Sequence, residues 1–244
     1  MRPVILAAGR GKRYEGNTDK SLMVVNRRPV IYDALYTLDN MGFSSDDIHV
    51  IVNPNNKHAI TQAIGDPLIK IIEQRDPTGP ATAVKAAYEA ESTLNELLVI
   101  QADDAAWLGG IMPNFARFHE RRHAVASMAL LALGDPQVHY NSYRVDENGM
   151  IVGHESGLPE QKTRSYGCNA GVYVVSKAVF LASYDRLSPP QDLGLPKVIT
   201  TMIDSNLPVA GPVYDIPWKS ANTEQERQIA HGMMESTPQL LAVI

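Results

Sequence analysis

Residues 1–20 read MRPVILAAGRGKRYEGNTDK. The apolar run Val4-Ile5-Leu6-Ala7-Ala8 stops at Gly9 and Gly11, and the cations Lys12, Arg13 and Lys20 follow. A short apolar run closed by glycine predicts a buried strand, here residues 3–8. Glycines let backbone N–H groups approach an anion closely, and a concave run of N–H groups favours phosphate. Arg13 and Lys20 add positive charge that persists at neutral pH. Two common phosphate motifs do not fit. The third glycine of GxGxxG is replaced by Tyr14, and Gly11-Lys12-Arg13 lacks the Ser or Thr that Walker A needs. Taken alone, the stretch reads more readily as a glycine turn with solvated cations.

The pattern repeats along the first half of the chain. Pro29 is suited to the first turn of a helix running to about Met41, with Ile31, Leu35 and Leu38 on one face. Ile48–Val52 predicts a second strand, Asn53-Pro54-Asn55 a cap for a helix to about Ile64, and Leu68–Ile72 a third strand. A loop over 73–80 leads into an alanine-rich helix from Ala81 to about Glu91. Leu97–Ile100 is a fourth strand, ending at Gln101-Ala-Asp-Asp104. Strands alternating with helices predict βαβ units, hence an α/β fold with a mostly parallel sheet. No element is read between Asp104 and Val125.

The second half predicts a strand over Val125–Leu133, a hairpin over 143–152 turning at Glu147-Asn-Gly149, and a strand over 169–175. Helices follow near 177–185 and 195–205, then a strand over Val209–Tyr214 and a closing helix from Thr223 to about Met234. The whole reads as one domain, 1–244, with a small added β region. Ligands of open parallel sheets bind beyond the carboxyl ends of the strands. Gly9–Lys20, Gln74–Thr82 and Asp103-Asp104 occupy three such ends.

The 244 residues carry a net charge of −5, with 44% apolar and 20% charged residues, so no diffuse basic field speaks for nucleic acid. One cysteine, Cys168, allows no internal disulfide and suits a reducing cytosol; it reads as a small buried residue rather than a nucleophile. No window approaches the roughly 20 apolar residues of a membrane span, and the N-terminal run is too short for a signal peptide. The expected setting is the cytoplasm. The seven histidines show no ligand spacing.

Leu6-Ala-Ala-Gly-Arg-Gly-Lys-Arg13, Asp19-Lys20-Ser-Leu22 and Pro29-Val-Ile31 together resemble the signature of nucleotide-diphospho-sugar pyrophosphorylases, L-A-[AG]-G-x-G-x-R, P-K-x-L and K-P-[ML]-[IL]. The resemblance continues through Gln74 with Gly79-Pro-Ala-Thr-Ala83, Val99-Ile-Gln-Ala-Asp103, Val145–Gly149 through Glu155, Tyr166–Tyr173 and Leu195-Pro-Lys-Val-Ile199. It implies a Rossmann-like three-layer sandwich of the GT-A-like nucleotidyltransferase type. Residues 1–123 would form a nucleotide-binding half, and 124–244 a sugar-binding half with the closing helix. The implied reaction joins a nucleoside triphosphate to a sugar 1-phosphate and releases pyrophosphate with Mg²⁺.

The same resemblance implies roles. Leu6, Ala7, Ala8, Gly9 and Gly11 would line the triphosphate, and Gln74, Pro77 and Gly79 the base. Arg13 would neutralise the departing pyrophosphate, and Lys20 would sit against the α-phosphate. Asp103 would hold Mg²⁺. Glu155, Gly167, Asn169 and Lys197 would meet the sugar phosphate. Plainer roles stand beside these. Apart from its neighbours, Asp103-Asp104 reads as a helix cap or a solvated turn, and Asn169 as satisfying backbone groups at a strand start.

Three departures concern the metal and the specificity pockets. Ser220 stands where the family has its second metal aspartate, with Asp104, Asn222 or Asp215 as substitutes. Pro80 replaces a threonine and removes a backbone donor. The lysine of E-K-P has no match, Lys162 being the nearest candidate. Ser220 keeps open a non-catalytic nucleotide or sugar-nucleotide binder. A cytidylyltransferase acting on a non-sugar phosphate such as phosphocholine is a further alternative, with Tyr140, Tyr143, Tyr166, Tyr173 and Trp218 as its aromatics. A homo-oligomer is also left open.

Overall fold

β1 (Arg2–Leu6) pairs in parallel with two strands, β4 (His49–Val52) and β6 (Glu96–Gln101). Its apolar run is continuous because both its faces are covered. Ile5 and Ala7 pack into one core, and Val4, Leu6 and Ala8 into the other. A computed structural model describes residues 1–9, 19–25, 28–76, 78–102, 112–132, 141–156, 165–187 and 193–215.

Among these, ten strands form one mixed sheet. β5 (Lys70–Glu73) joins β4 in parallel. β10 (Tyr166–Ser176) runs antiparallel between β6 and β7 (Ala126–Leu131). β8 (Asn141–Val145) and β9 (Ile151–Ser156) form the expected hairpin, added to β10 through β8. The hairpin turns over Asp146–Met150, where Gly149 has φ +74°.

Helices cover both faces and give three layers. α1 (Ile31–Asn40), α2 (Lys57–Ile64) and α4 (Met112–Arg122) bury Ile31, Leu38, Ile60, Met112 and Phe115 on one face. α3 (Pro80–Ala90), α5 (Lys177–Asp185) and α6 (Leu195–Asp204) bury Val84, Tyr88, Phe180, Val198 and Met202 on the other. The α/β three-layer reading holds, with a parallel half continued by an antiparallel one.

Local boundaries differ for identifiable reasons. Pro29 lies not in the first turn of α1 but in β3 (Arg28–Pro29), opposite β2 (Val24–Val25), with Val30 as the helix cap. A two-residue hairpin strand tolerates a residue with no N–H. α2 begins at Lys57 because the Asn53 Oδ1 accepts from the Asn55 and Asn56 N–H groups, forming a turn before the helix. The strand expected over Val209–Tyr214 is split at Gly211-Pro212 into β11 (Val209–Ala210) and β12 (Val213–Tyr214), both parallel to β7. α4 is an addition to the sequence reading. Its buried stripe Met112, Phe115, Ala116, His119 has helical spacing, but a histidine closes it and its other faces are strongly polar. The expected helix from Thr223 lies outside the described residues.

Gly167 is fixed by packing. A Cβ there would stand 2.7 Å from the Leu130 Cβ and 3.2 Å from the Leu131 carbonyl oxygen, where β10 crosses β7. Gly167→Ala is expected to cost about 1–3 kcal/mol of stability by overpacking, measured by urea unfolding.

Asp33, buried in the first turn of α1, contacts the Arg28 guanidinium. No described group gives either carboxylate oxygen a well-aligned hydrogen bond. Burial outweighs the guanidinium, and the carboxyl is pushed up to about 6 from 3.8. A raised folded pKa favours the protonated form, so the stability it contributes is full below about pH 4 and lost as pH rises through about 6. Asp33→Asn, which mimics that form, is expected to gain stability over wild type between about pH 4 and 6, by up to about 3 kcal/mol, and to hold the gain above. Unfolding free energies of both proteins across that range check it.

Candidate active site

Because β6, β1, β4 and β5 run the same way, their carboxyl ends share one rim. The ladder continues a residue past each strand. The Ala7 N–H donates to the Ile51 carbonyl (2.8 Å), Gln74 N–H to Val52 (2.8 Å) and Ala102 N–H to Leu6 (3.1 Å). The chain steps from β1 outward to β4 and β5 with α1 and α2 on one face, then returns across β1 to β6 with α3 on the other. The order reverses between β1 and β6, and such switch points are where open sheets leave a crevice. The residues at this point are Leu6–Gly9 and Gln101–Ala102.

Leu6, Ala7 and Ala8 are buried and Gly9 is exposed. No described atom lies within 4 Å of where a Cβ on Gly9 would stand. The carbonyl of Ala7 accepts from the Asn56 Nδ2 (2.7 Å), and that of Ala8 from the Asn53 Nδ2 (3.1 Å). A trans peptide points its N–H opposite to its C=O, so the Ala8 and Gly9 N–H groups are turned away from these asparagines. Lys20 is half-buried and opens a 3₁₀ turn, Lys20–Leu22. Asp19 caps that turn, its Oδ1 accepting from the Ser21 N–H (2.9 Å) and its Oδ2 from the Asn56 Nδ2 (2.6 Å).

Asn53 and Asn56 are site-building residues that the sequence reading missed, having treated Asn53 only as a helix cap. The signal available was a pair of amides three apart directly after a buried strand. Amides are buried at such a place only when their hydrogen bonds are met.

Gln74 is buried, and its Nε2 donates to the Asp76 carbonyl (3.2 Å), so the side chain braces its own loop. Gly79 has φ +112° and ψ 168°, a conformation essentially restricted to glycine, and caps α3. Pro80 occupies the first turn of α3, where its missing N–H costs the helix nothing. The next N–H, Ala81, donates to the Leu193 carbonyl (3.1 Å), and the Leu193 N–H returns to the Thr78 carbonyl (2.9 Å). This double bridge seats the start of α6 against the Gln74–Gly79 loop, with Lys197 exposed in the first turn of α6.

On the other side, β10 passes β6 with Val172 opposite Ile100, so Asn169–Gly171 reach the rim level of Gln101. The register shifts between Asn169 and Tyr173, Gly171 takes φ +76°, and the Asn169 Oδ1 accepts from the Gly171 N–H (3.0 Å). The asparagine thus stabilises a bulge. The Tyr173 hydroxyl donates to the Gln101 Oε1 (3.2 Å), linking the strand to the end of β6. Gly167 pairs with Tyr143 beyond this point. Exposed Glu155 pairs with Ser142, which itself pairs with Cys168. Paired residues share a face, so Glu155 lies on the Cys168 face and Asn169, opposite Leu130, on the other.

The described expectations thus gather as one group, Leu6–Gly9, Lys20, Gln74, Gly79 and Asn169, along a single edge. Glu155 stands apart on the hairpin. Gly11, Arg13, Pro77, Asp103, Asp104 and Ser220 lie outside the described residues. Among those described, no group of three or more His, Cys, Asp or Glu side chains converges as a metal site, and Asp103, the expected Mg²⁺ residue, is not one of them. Two groups with shifted titration lie at the amino ends of β4 and β6, away from this rim. Burial lowers His49 on β4, and a hydrogen bond from His119 holds Glu96 on β6 below the usual carboxylate range. No helix among the described residues is long and apolar enough to cross a membrane.

Comparison with known proteins agrees with this architecture. The bifunctional protein GlmU of Desulfotalea psychrophila is 29% identical over 178 residues, covering 71% of this chain and 51% of that protein. GlmU of Aquifex aeolicus is 27% identical over 226 residues, covering 86% of this chain and 47% of its own length. The chain therefore spans about half the length of these relatives. A crystal structure of a putative glucose-1-phosphate thymidylyltransferase from Bacillus anthracis, in complex with sucrose, superposes with a TM-score of 0.74 over 96% of this chain and 94% of that one. At 21% identity that likeness carries the fold. The motif resemblance to nucleotide-diphospho-sugar pyrophosphorylases holds at the level of family. Residues 3–129, more than half of the 244, match the MobA-like NTP transferase domain, and the chain belongs to that family.

Proposed function

We propose that the protein is a nucleotidyltransferase that joins a nucleoside triphosphate to a sugar 1-phosphate, giving a nucleoside diphosphate sugar and pyrophosphate. The observation that carries this reading is the gathering of the β1 end, Lys20, the Gln74–Gly79 loop and Asn169 on one rim, in a family of NTP transferases. The family match over residues 3–129 supports a division into a nucleotide-binding half, 1–123, and a sugar-binding half, 124–244.

In such a reaction a phosphate oxygen of the sugar attacks the α-phosphorus in line with the departing pyrophosphate. Two anions must meet, so positioning and charge neutralisation supply most of the rate. The Ala8 and Gly9 N–H groups face the β- and γ-phosphates, with Gly11 continuing the cradle. Lys20 sits against the α-phosphate and the incoming sugar phosphate, and Arg13 balances the charge that leaves. Gln74, Pro77 and Gly79 contact the base. Asn169, Gly167 and Lys197 face the sugar phosphate; Glu155, on the other face of the sheet, stands apart from them. Asp103 would hold Mg²⁺, a hard cation that neutralises phosphate oxygens when bound. A single buried thiol, Cys168, suits a reducing compartment, and we place the protein in the cytoplasm.

Purified protein with Mg²⁺, a panel of triphosphates and a panel of sugar 1-phosphates is expected to release pyrophosphate with at least one pair. The second reading, a binder without turnover, is favoured by Ser220 in place of the family's second metal aspartate. It predicts thermal stabilisation by triphosphate, no added effect of Mg²⁺ and no pyrophosphate from any pair. Under the enzyme reading, Lys20→Ala lowers kcat about 10²- to 10³-fold, the usual loss for one preorganised group facing transition-state charge. A kcat within twofold of wild type would remove Lys20 from the reacting centre.

A further inference from the structure

We propose that Asn56 is a positioning residue for nucleotidyl transfer, fixing the phosphate-facing backbone of β1 and the turn that carries Lys20 in one relation. The proposal rests on the nucleotidyltransferase reading of the site.

Asn56 is 5% exposed, and its amide is fully engaged across three segments. One N–H of Nδ2 reaches the Ala7 carbonyl (2.7 Å), and the other the Asp19 Oδ2 (2.6 Å). Its Oδ1 accepts from the Asn53 N–H (2.9 Å). It caps α2, yet makes no side-chain bond to that helix's first turn. A cap residue usually gives its side chain to those N–H groups, a bond worth about 1 kcal/mol. Here the side chain is committed to the rim instead.

The two groups that Nδ2 holds are the two ends of the segment between β1 and the 3₁₀ turn. Holding the Ala7 carbonyl turns the Ala8 N–H the other way, toward the side where phosphate is proposed to lie. Holding Asp19 ties the cap of the Lys20–Leu22 turn to the same amide. One side chain thus ties the Ala8 N–H and the turn that carries the lysine to each other. The chemistry needed is two donors on one atom. Aspartate has neither, and would set a carboxylate against a carbonyl and the Asp19 carboxylate. Alanine would leave both acceptors without their donor.

The test uses the full chain, with kcat and KM for the productive triphosphate and sugar phosphate. Hydrogen exchange of segments 5–9 and 19–23 is read alongside, with α3 as control. Asn56→Asp is expected to lower kcat about 10- to 100-fold, and more than Asn56→Ala does. Exchange should rise at both segments together while α3 is unchanged. Adding Asp19→Asn to Asn56→Asp restores a donor between the two side chains and should recover part of kcat. If Asn56→Asp does not fold, Asn56→Ser, which keeps one donor, carries the same comparison. Wild-type turnover with kcat unchanged in the variants overturns the proposal and leaves the enzyme reading intact. A rise in exchange that includes α3, with no recovery on adding Asp19→Asn, marks a merely structural residue and also overturns it. Wild-type protein without turnover on any pair overturns the enzyme reading, and the proposal with it.

Discussion

The parallel pairing of β1 on both its edges is the constraint on which the site depends. A parallel pair cannot be closed by a tight turn, so each return of the chain crosses over a face of the sheet, almost always in a right-handed sense. Moving outward through α1 and α2 uses one face; moving back across β1 to β6 with the same hand requires α3 on the other. Two covered faces demand a strand that is apolar throughout, which Val4–Ala8 supplies. The reversal then leaves the ends of β1 and β6 side by side at the rim.

That arrangement creates a polar problem at the rim. Once the ladder ends, the carbonyls of Ala7 and Ala8 are still buried, and an unpaired buried carbonyl costs on the order of 1–3 kcal/mol. Asn53 and Asn56, arriving at the end of neighbouring β4, meet both with amide donors. Satisfying the carbonyls from one side fixes the peptide planes, and so the N–H groups are presented on the other. Fold completion and the presentation of these N–H groups are the same event here, because a peptide cannot offer one of its dipole ends without placing the other.

How far this was legible in the sequence varies with the physical origin of each feature. The strands and helices around the sheet follow from periodicity, and the rim follows from strand direction. α4 escaped because its buried stripe ends on His119, whose ring nitrogens sit 2.7 Å from the Ser127 Oγ and 2.9 Å from the Glu96 Oε1. A polar residue satisfied by distant partners gives no periodic signal. Asn53 and Asn56 escaped for the same reason, since their partners on β1 lie more than forty positions away. Gly167 was visible as part of a motif, but its packing against Leu130 was not, because a glycine's reason lies in what a Cβ would strike. Asn169 was legible in both its motif and its plain role, and its bond to the Gly171 N–H shows the plain role at work.

Pro80 gains a different meaning from its surroundings. Read as a departure, it removes a donor near the base. In place, it stands where the helix has no use for an N–H, and the next donor, Ala81, is already engaged by Leu193. The first N–H of α3 is therefore already engaged, and a threonine at 80 would add a donor beside a backbone bridge. What the loop retains is the Gln74 side chain held against the Asp76 carbonyl, and the Gly79 backbone in a conformation only glycine readily takes. Since Thr78 and Ala81 both bond Leu193, that loop and the first turn of α6 cannot move independently without breaking two hydrogen bonds. Under the nucleotidyltransferase reading, selectivity for the base and the placing of Lys197 are then coupled through backbone, and a change at either end is felt at the other.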